Sequence, residues 1–160
     1  MVWLDGALVP VDAARVSPFD HGLLVGDGVF ETLRIYRGVP FAWRRHDARL
    51  RASAAGLGLP VPDESVLRAA AEQVITANDV REGRLRITVT GGPSPLGSER
   101  GDADPTVIVA VGEARAWPPT ERVVHVPWPR NERGATAGLK TISYAENVRA
   151  LAYAHERGAT

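Results

Sequence analysis

Val29-Phe30-Glu31-Thr32-Leu33-Arg34-Ile35-Tyr36 alternates in the manner of a strand, Arg37-Gly38 supplies a turn, and Val39-Pro40-Phe41-Ala42 is placed to return beside it. Toward the N-terminus, Val2-Trp3-Leu4 and Ala7-Leu8-Val9 flank Asp5-Gly6, a pair that accepts the positive φ of a tight hairpin turn. Toward the C-terminus the apolar period lengthens to that of a helix. Ala48, Leu50, Ala54 and Leu57 recur within residues 44–57, and Pro62-Asp63 opens a second helix through Val66, Leu67, Ala70, Val74 and Ile75. Strands are expected again over 84–90 and 106–112, with Gly91-Gly92-Pro93-Ser94-Pro95-Leu96-Gly97 as the loop between them. Hairpins and helices segregated in this way predict an α+β fold, an antiparallel sheet layered with two helices.

The pattern changes at Trp117-Pro118-Pro119-Thr120, where successive prolines continue neither a helix nor a central strand. Residues 1–116 are therefore expected to form a small α+β domain, 117–120 a linker, and 121–160 the start of a second domain. That last segment holds one expected strand, Val123–Val126, a loop rich in Pro and Arg, Lys140, and an expected helix from about Tyr144 to Arg157. Ser143 and Glu146 have the spacing of a capping box at its start. Forty residues with one strand and one helix do not bury a core of their own, so the second domain is expected to be only begun.

The chain has 160 residues, of which 44% are hydrophobic and 24% charged, which excludes disordered and fibrous classes. Nineteen Lys plus Arg balance nineteen Asp plus Glu, leaving no global charge to attract nucleic acid or an anionic membrane. No cysteine is present, so disulfides, thiolate metal sites and Cys nucleophiles are excluded. With neither a basic, apolar leader at Met1–Gly6 nor a long apolar run, the expected location is the cytoplasm.

Within that balance one residue stands out: the only Lys among the nineteen cations is Lys140. An amine can lose its proton and attack a carbonyl, whereas a guanidinium effectively cannot. Lys140 is thus a candidate Schiff-base nucleophile, against the plainer reading of a leftover surface lysine. Arg45 and Arg49 lie four apart and share a helix face suited to an anion. A nucleophilic lysine together with an arginine for a phosphate suggests a cofactor with both an aldehyde and a phosphate, which is pyridoxal 5′-phosphate. Other templates fail: there is no G-x-S-x-G elbow, Walker loop or H-E-x-x-H, and Glu31 occupies the third glycine position of a dinucleotide fingerprint. The four histidines, 21, 46, 125 and 155, have no ligand spacing, so no metal site is expected; Asp20-His21 and His46-Asp47 read as solvated or capping pairs.

The run Gly26-Asp27-Gly28-Val29-Phe30-Glu31-Thr32-Leu33-Arg34, then Phe41, then His46-Asp47-Ala48-Arg49-Leu50, then Leu139-Lys140-Thr141 leading into a helix that ends His155-Glu156-Arg157-Gly158, resembles the class IV pyridoxal-phosphate aminotransferases. That family includes branched-chain aminotransferases, D-amino-acid aminotransferases and 4-amino-4-deoxychorismate lyases. The resemblance implies the family's two-domain fold, that of the D-amino-acid aminotransferases, and a homodimer. It implies that Lys140 carries the cofactor and shuttles the substrate proton, and that Arg49 clamps the cofactor phosphate. Tyr144, after a one-residue shift, would face the cofactor's phenolic oxygen, and Phe30 would line the substrate side. Glu146 and Asp27 read as capping and turn residues.

Two departures from the family pattern matter. The glutamate that pairs with the pyridine nitrogen and the main phosphate cradle lie downstream of this chain in the family, so residues 1–160 alone are expected to be poorly active. Thr90-Gly91-Gly92 stands where D-amino-acid aminotransferases and some lyases have Arg-Gly, which removes an expected carboxylate-binding arginine. Residues 28–34 and the extended 93–101 loop look more like the lyase branch, which releases pyruvate from aminodeoxychorismate to give p-aminobenzoate for folate. A branched-chain or D-amino-acid aminotransferase acting on a small-molecule amino acid substrate is the alternative, and a non-catalytic α+β binding module is the reading from another class.

Overall fold

A computed structural model describes residues 1–159. Its elements follow in the order β1 (Val2–Leu4), β2 (Ala7–Val9), α1 (His21–Leu24), β3 (Gly28–Tyr36), β4 (Val39–Pro40), α2 (Trp43–Leu57), α3 (Glu64–Ala77), β5 (Glu82–Thr90), β6 (Val107–Gly112) and α4 (Ala145–Glu156). The six strands form one sheet in the order β2-β1-β6-β5-β3-β4, and every pairing is antiparallel. Both hairpin turns form at the expected residues. Asp5 and Gly6 take φ of 47° and 96°, and Arg37 and Gly38 take 51° and 80°, the double positive φ that matches strand twist in a two-residue hairpin.

Alternation along β3 and β5 sorts residues onto two faces. Val29, Leu33 and Ile35 of β3 and Leu85, Ile87 and Val89 of β5 point to one side, where α2 and α3 cover them. Leu33 sits opposite Leu85 and Val29 opposite Val89, and all four are fully buried. The other face carries Phe30, Thr32, Arg34, Arg84 and Arg86, all but Phe30 in contact with solvent. Leu50 and Ala54 anchor α2 to the core, and Leu67, Ala70, Ala71, Val74 and Ile75 anchor α3. No helix among the described residues is long and apolar enough to cross a membrane.

Several local expectations are corrected. Strand β4 stops at Pro40, because Ala42 turns left-handed at φ 54° and α2 begins at Trp43. Ala48 is exposed, lying two residues from Leu50 and so off the buried face, while Ser53 takes a buried place on α2. No strand forms over 123–126; Val123 is 85% exposed and no described strand offers it a ladder. The capping box does not form either. Helix α4 starts at Ala145 with Tyr144, not Ser143, at its N-cap and with no side-chain cap; the Ser143 hydroxyl instead donates to the carbonyl of Gly26, 117 residues away in sequence, a contact that holds the side chain away from the helix end. A one-turn helix, α1, forms between the two hairpins, capped by the Asp20 carboxylate accepting from the Gly22 N–H at 2.8 Å.

Candidate active site

Strand β3 is paired to β5 along its whole length, but β4 covers its other edge only at Ile35 and Tyr36. The segment around Lys140 occupies the remaining edge. Thr141 bridges Val29 in antiparallel fashion, the Phe30 N–H donates to the Lys140 carbonyl at 3.2 Å, and the Ile142 N–H donates to the Gly28 carbonyl at 2.9 Å. The Lys140 N–H donates to the buried Ser53 hydroxyl on α2 at 3.0 Å. Gly28 makes the approach possible, since a Cβ there would lie 2.7 Å from the Val89 carbonyl oxygen and 2.8 Å from Ile142 Cδ1. Backbone pairing thus fixes the base of the Lys140 side chain from two elements.

The amine ends among aromatic groups. Lys140 Nζ lies 3.1 Å from the Tyr144 hydroxyl and 4.0 Å from the centroid of the Phe30 ring, and the Phe30 and Tyr144 rings meet edge to face at 4.9 Å. Phe30 is buried, and its ring also lies 3.8 Å from the Arg86 guanidinium carbon. A pocket of about 470 Å³ opens here, and Arg49, Arg130, Thr136, Lys140, Ser143 and Tyr144 contribute to its lining. The sequence-derived candidates Lys140, Tyr144 and Arg49 therefore share one pocket, and Phe30 touches two of them.

Arg49 is not a free guanidinium. Its Nε donates to Glu31 Oε1 at 2.5 Å and its Nη2 to Glu31 Oε2 at 2.7 Å, a bidentate pair. His46 Nδ1 stands 2.6 Å from the same Oε2. Glu31 is 1% exposed, so a carboxylate sits on the core face of β3 under α2. Burial alone would raise its pKa, but the hydrogen bonds from Arg49 and His46 outweigh it and hold the carboxyl below the ordinary 4.5. Local sequence does not announce this network, since it pairs His46 with the adjacent Asp47 as a solvated or capping partner; in the structure Asp47 pairs with Arg51 at 2.9 Å.

A second ion pair corrects the reading of Asp27 as a turn residue. Arg100 grips both its oxygens at 2.6 Å and donates to the Leu57 and Gly58 carbonyls at the end of α2, so the 93–101 loop is fastened across the sheet end. The hydrogen bonds from Arg100 hold the Asp27 carboxyl below its ordinary 3.8. Asp20 and His21, expected to be solvated or capping, are buried; Asp20 does cap α1 and also accepts from the Thr90 hydroxyl at 2.9 Å. Glu146 contributes no cap and lies on the pocket wall.

Both depressed carboxyls act on stability in the same direction. The unfolded chain binds protons more readily at Glu31 and Asp27, so their contribution is complete above the ordinary carboxylate range and is lost as pH falls through the folded values. Urea unfolding is expected to show a plateau between pH 7 and about 5 and a decline below about 4.5, with Glu31→Gln flattening part of that decline.

Sequence reasoning also passed over Arg86. It projects from the open face of the sheet, donates to the Thr88 hydroxyl at 3.1 Å and has no carboxylate partner among the described residues. Water lost around it lowers its pKa, although much of the side chain remains exposed. The sequence carries no local signal for it, because only the strand register that sets Arg86 opposite Thr32 brings it beside the Phe30–Thr88 pair.

A profile of the family described as amino-transferase class IV matches residues 28–160. A putative branched-chain-amino-acid aminotransferase of Methanocaldococcus jannaschii is 41% identical over 98 residues, which are 60% of this chain and 34% of that protein. An aminodeoxychorismate lyase of Bacillus subtilis is 33% identical over 120 residues, 72% of this chain and 41% of that one. Among solved structures, a hypothetical aminotransferase from Mycobacterium tuberculosis in its α-ketoglutarate- and PMP-bound form superposes with a TM-score of 0.84 at 29% identity, covering 99% of this chain and 59% of the other. The chain thus spans between about one third and three fifths of the lengths of these three proteins.

Proposed function

The chain belongs to the class IV aminotransferase family, and from that premise we propose that it forms the lysine-bearing part of a pyridoxal-phosphate enzyme of the aminodeoxychorismate lyase type. The observation that carries this reading is the convergence of Lys140, Tyr144 and Arg49 on one pocket wall. The donor set fits the cofactor: a primary amine for an aldehyde, guanidinium groups for a phosphate, and a phenol for a ring oxygen. Lys140 would hold the cofactor covalently, Arg49 would grip its phosphate and Tyr144 its phenolic oxygen. When bound, pyridoxal phosphate supplies an electron sink for the bond broken at the amine-bearing carbon.

Lys140 Nζ would act as the base that takes the proton from the amine-bearing carbon of the substrate. Tyr144 steadies Nζ through the 3.1 Å hydrogen bond, and Phe30 closes the apolar side of the site. Aminodeoxychorismate carries two carboxylates away from its reacting amine, and Arg86 offers an unneutralised guanidinium beside Phe30 to meet one of them. In that reaction the ring C–O bond to the enolpyruvyl group would break, the ring would become aromatic, and the proton taken by Lys140 would pass to the departing enolpyruvate, giving p-aminobenzoate and pyruvate with no oxidant or water consumed. The second reading, a branched-chain aminotransferase, is favoured by the 41% identity to the M. jannaschii protein.

The test is product analysis. Aminodeoxychorismate is expected to release pyruvate together with fluorescent p-aminobenzoate, while a panel of L- and D-amino acids yields little 2-oxo acid. The reverse pattern would replace the lyase by the transaminase. Absence of both, together with no reduced-cofactor adduct on Lys140 after borohydride treatment, would set aside the enzyme reading in favour of a binding module, whereas an adduct without turnover would match the low activity expected of residues 1–160 alone.

A further inference from the structure

We propose that Glu31, a residue with no place in the reaction itself, is the positioning residue that aims Arg49 at the phosphate; the inference rests on the phosphate role assigned to Arg49 above. A guanidinium has five N–H donors in a rigid plane, and its orientation is set by whichever donors are committed. Here Nε and one proton of Nη2 are committed to the two oxygens of Glu31. Among the described residues Nη1 has no partner, so one edge of the plane is locked and the opposite edge is available to the pocket that Arg49 lines.

The lock is hard to release because of where Glu31 sits. Its side chain is 1% exposed while that of Arg49 is 55% exposed, so the guanidinium reaches outward from a partner that cannot follow it. If Arg49 swung away to embrace an anion with its Nε edge, a buried carboxylate would lose its main counter-charge, which is strongly unfavourable. His46 completes the arrangement. A carboxylate only accepts, so the 2.6 Å contact places a proton on His46 Nδ1, and the 3.5 Å approach of Arg49 Nη2 to that nitrogen is then not a hydrogen bond. His46 therefore serves Oε2 of Glu31 as a second donor beside Arg49 and does not draw Arg49 away as an acceptor.

Placement on elements makes the device rigid. Glu31 lies on β3 one residue from Phe30, while His46 and Arg49 lie three apart on one face of α2, whose Ser53 also receives the Lys140 N–H. The anchor of the lysine and the aim of the arginine are thus set by the same strand and helix.

The test measures affinity for pyridoxal 5′-phosphate and for pyridoxal, which lacks the phosphate, in the wild type, Glu31→Gln, Arg49→Gln and the double variant. The ratio of the two dissociation constants isolates the phosphate. Glu31→Gln is expected to cut that ratio about tenfold or more, equivalent to about 1.4 kcal/mol, with pyridoxal affinity unchanged, and to have no further effect once Arg49 is Gln. A ratio lowered by Arg49→Gln but not by Glu31→Gln would overturn the positioning role. A ratio unmoved by Arg49→Gln would overturn the phosphate assignment instead. A second measurement needs no variant of Glu31: the Arg49 Nε–H resonance of the wild type, assigned by its absence in Arg49→Gln, is expected to stay protected when pyridoxal 5′-phosphate is added. Its loss on addition would mean that the arginine leaves Glu31 to bind, and the proposal would fall.

Discussion

Intact mass after incubation with pyridoxal phosphate and borohydride reduction is expected to show one reduced-cofactor increment on the wild type and none on Lys140→Arg. Arginine keeps the positive charge and nearly the length of lysine but effectively never gives up its proton, so the substitution removes nucleophilicity while sparing charge and packing. The chain makes the experiment unusually clean, because Lys140 is its only lysine. The other primary amine is the α-amino group of Met1, which donates to Asn78 Oδ1 at 2.6 Å on the far side of the sheet order from β3. Peptide mapping separates the two. An adduct found on Met1 in both proteins, and on Lys140 in neither, would remove the nucleophile from the proposed function and leave the pocket without its chemistry. Retained circular dichroism in Lys140→Arg would show that loss of the adduct is not loss of fold.

The largest expected effect on stability falls on the buried strand that carries the site. Leu33→Ala should lower the free energy of unfolding by about 2–5 kcal/mol, read as a shift in urea midpoint at constant slope. Leu33 is fully buried and pairs across the register with the equally buried Leu85, beneath α2 and α3. Removal of its branched end opens a cavity between layers that are held apart by their other side chains. Its neighbour supplies the control. Thr32 points to the uncovered face, so Thr32→Ala should change stability by no more than about 0.5 kcal/mol. Equal costs at the two positions would contradict the assignment of faces along β3, and with it the placement of Phe30 and Glu31 on opposite sides of the sheet.

That assignment was partly legible in the sequence, and the reasons differ residue by residue. Asp5-Gly6 and Arg37-Gly38 announce their turns because a positive φ is a property of one residue and its neighbours. The apolar stripe of α3 was readable because helical period is local too, and only Val66, 42% exposed, falls outside the buried face. Ser143-x-x-Glu146 has the same local grammar, yet the helix takes Tyr144 as its N-cap and the Ser143 side chain is turned to the Gly26 carbonyl, because docking on a distant segment sets the direction of the side chain and the start of the helix together. Val123–Val126 has strand composition but no neighbouring ladder, and composition alone does not make a sheet.

By itself the sequence determined the α+β class, the two hairpin turns, the solitary lysine and the arginine on the helix after the second hairpin. Each of these follows from residue chemistry or from a repeat within about a dozen positions. Only the tertiary structure decided that residues 140–142 complete the open edge of β3, that Arg49 is held by a buried Glu31, and that Arg100 ties the loop after β5 to Asp27 and the end of α2. Those contacts join residues 18 to 114 positions apart. Which partner a charge meets at such separations depends on strand register and on the rotation of a helix over the sheet, which are settled by burial of the whole core and not by the residues that make the contact.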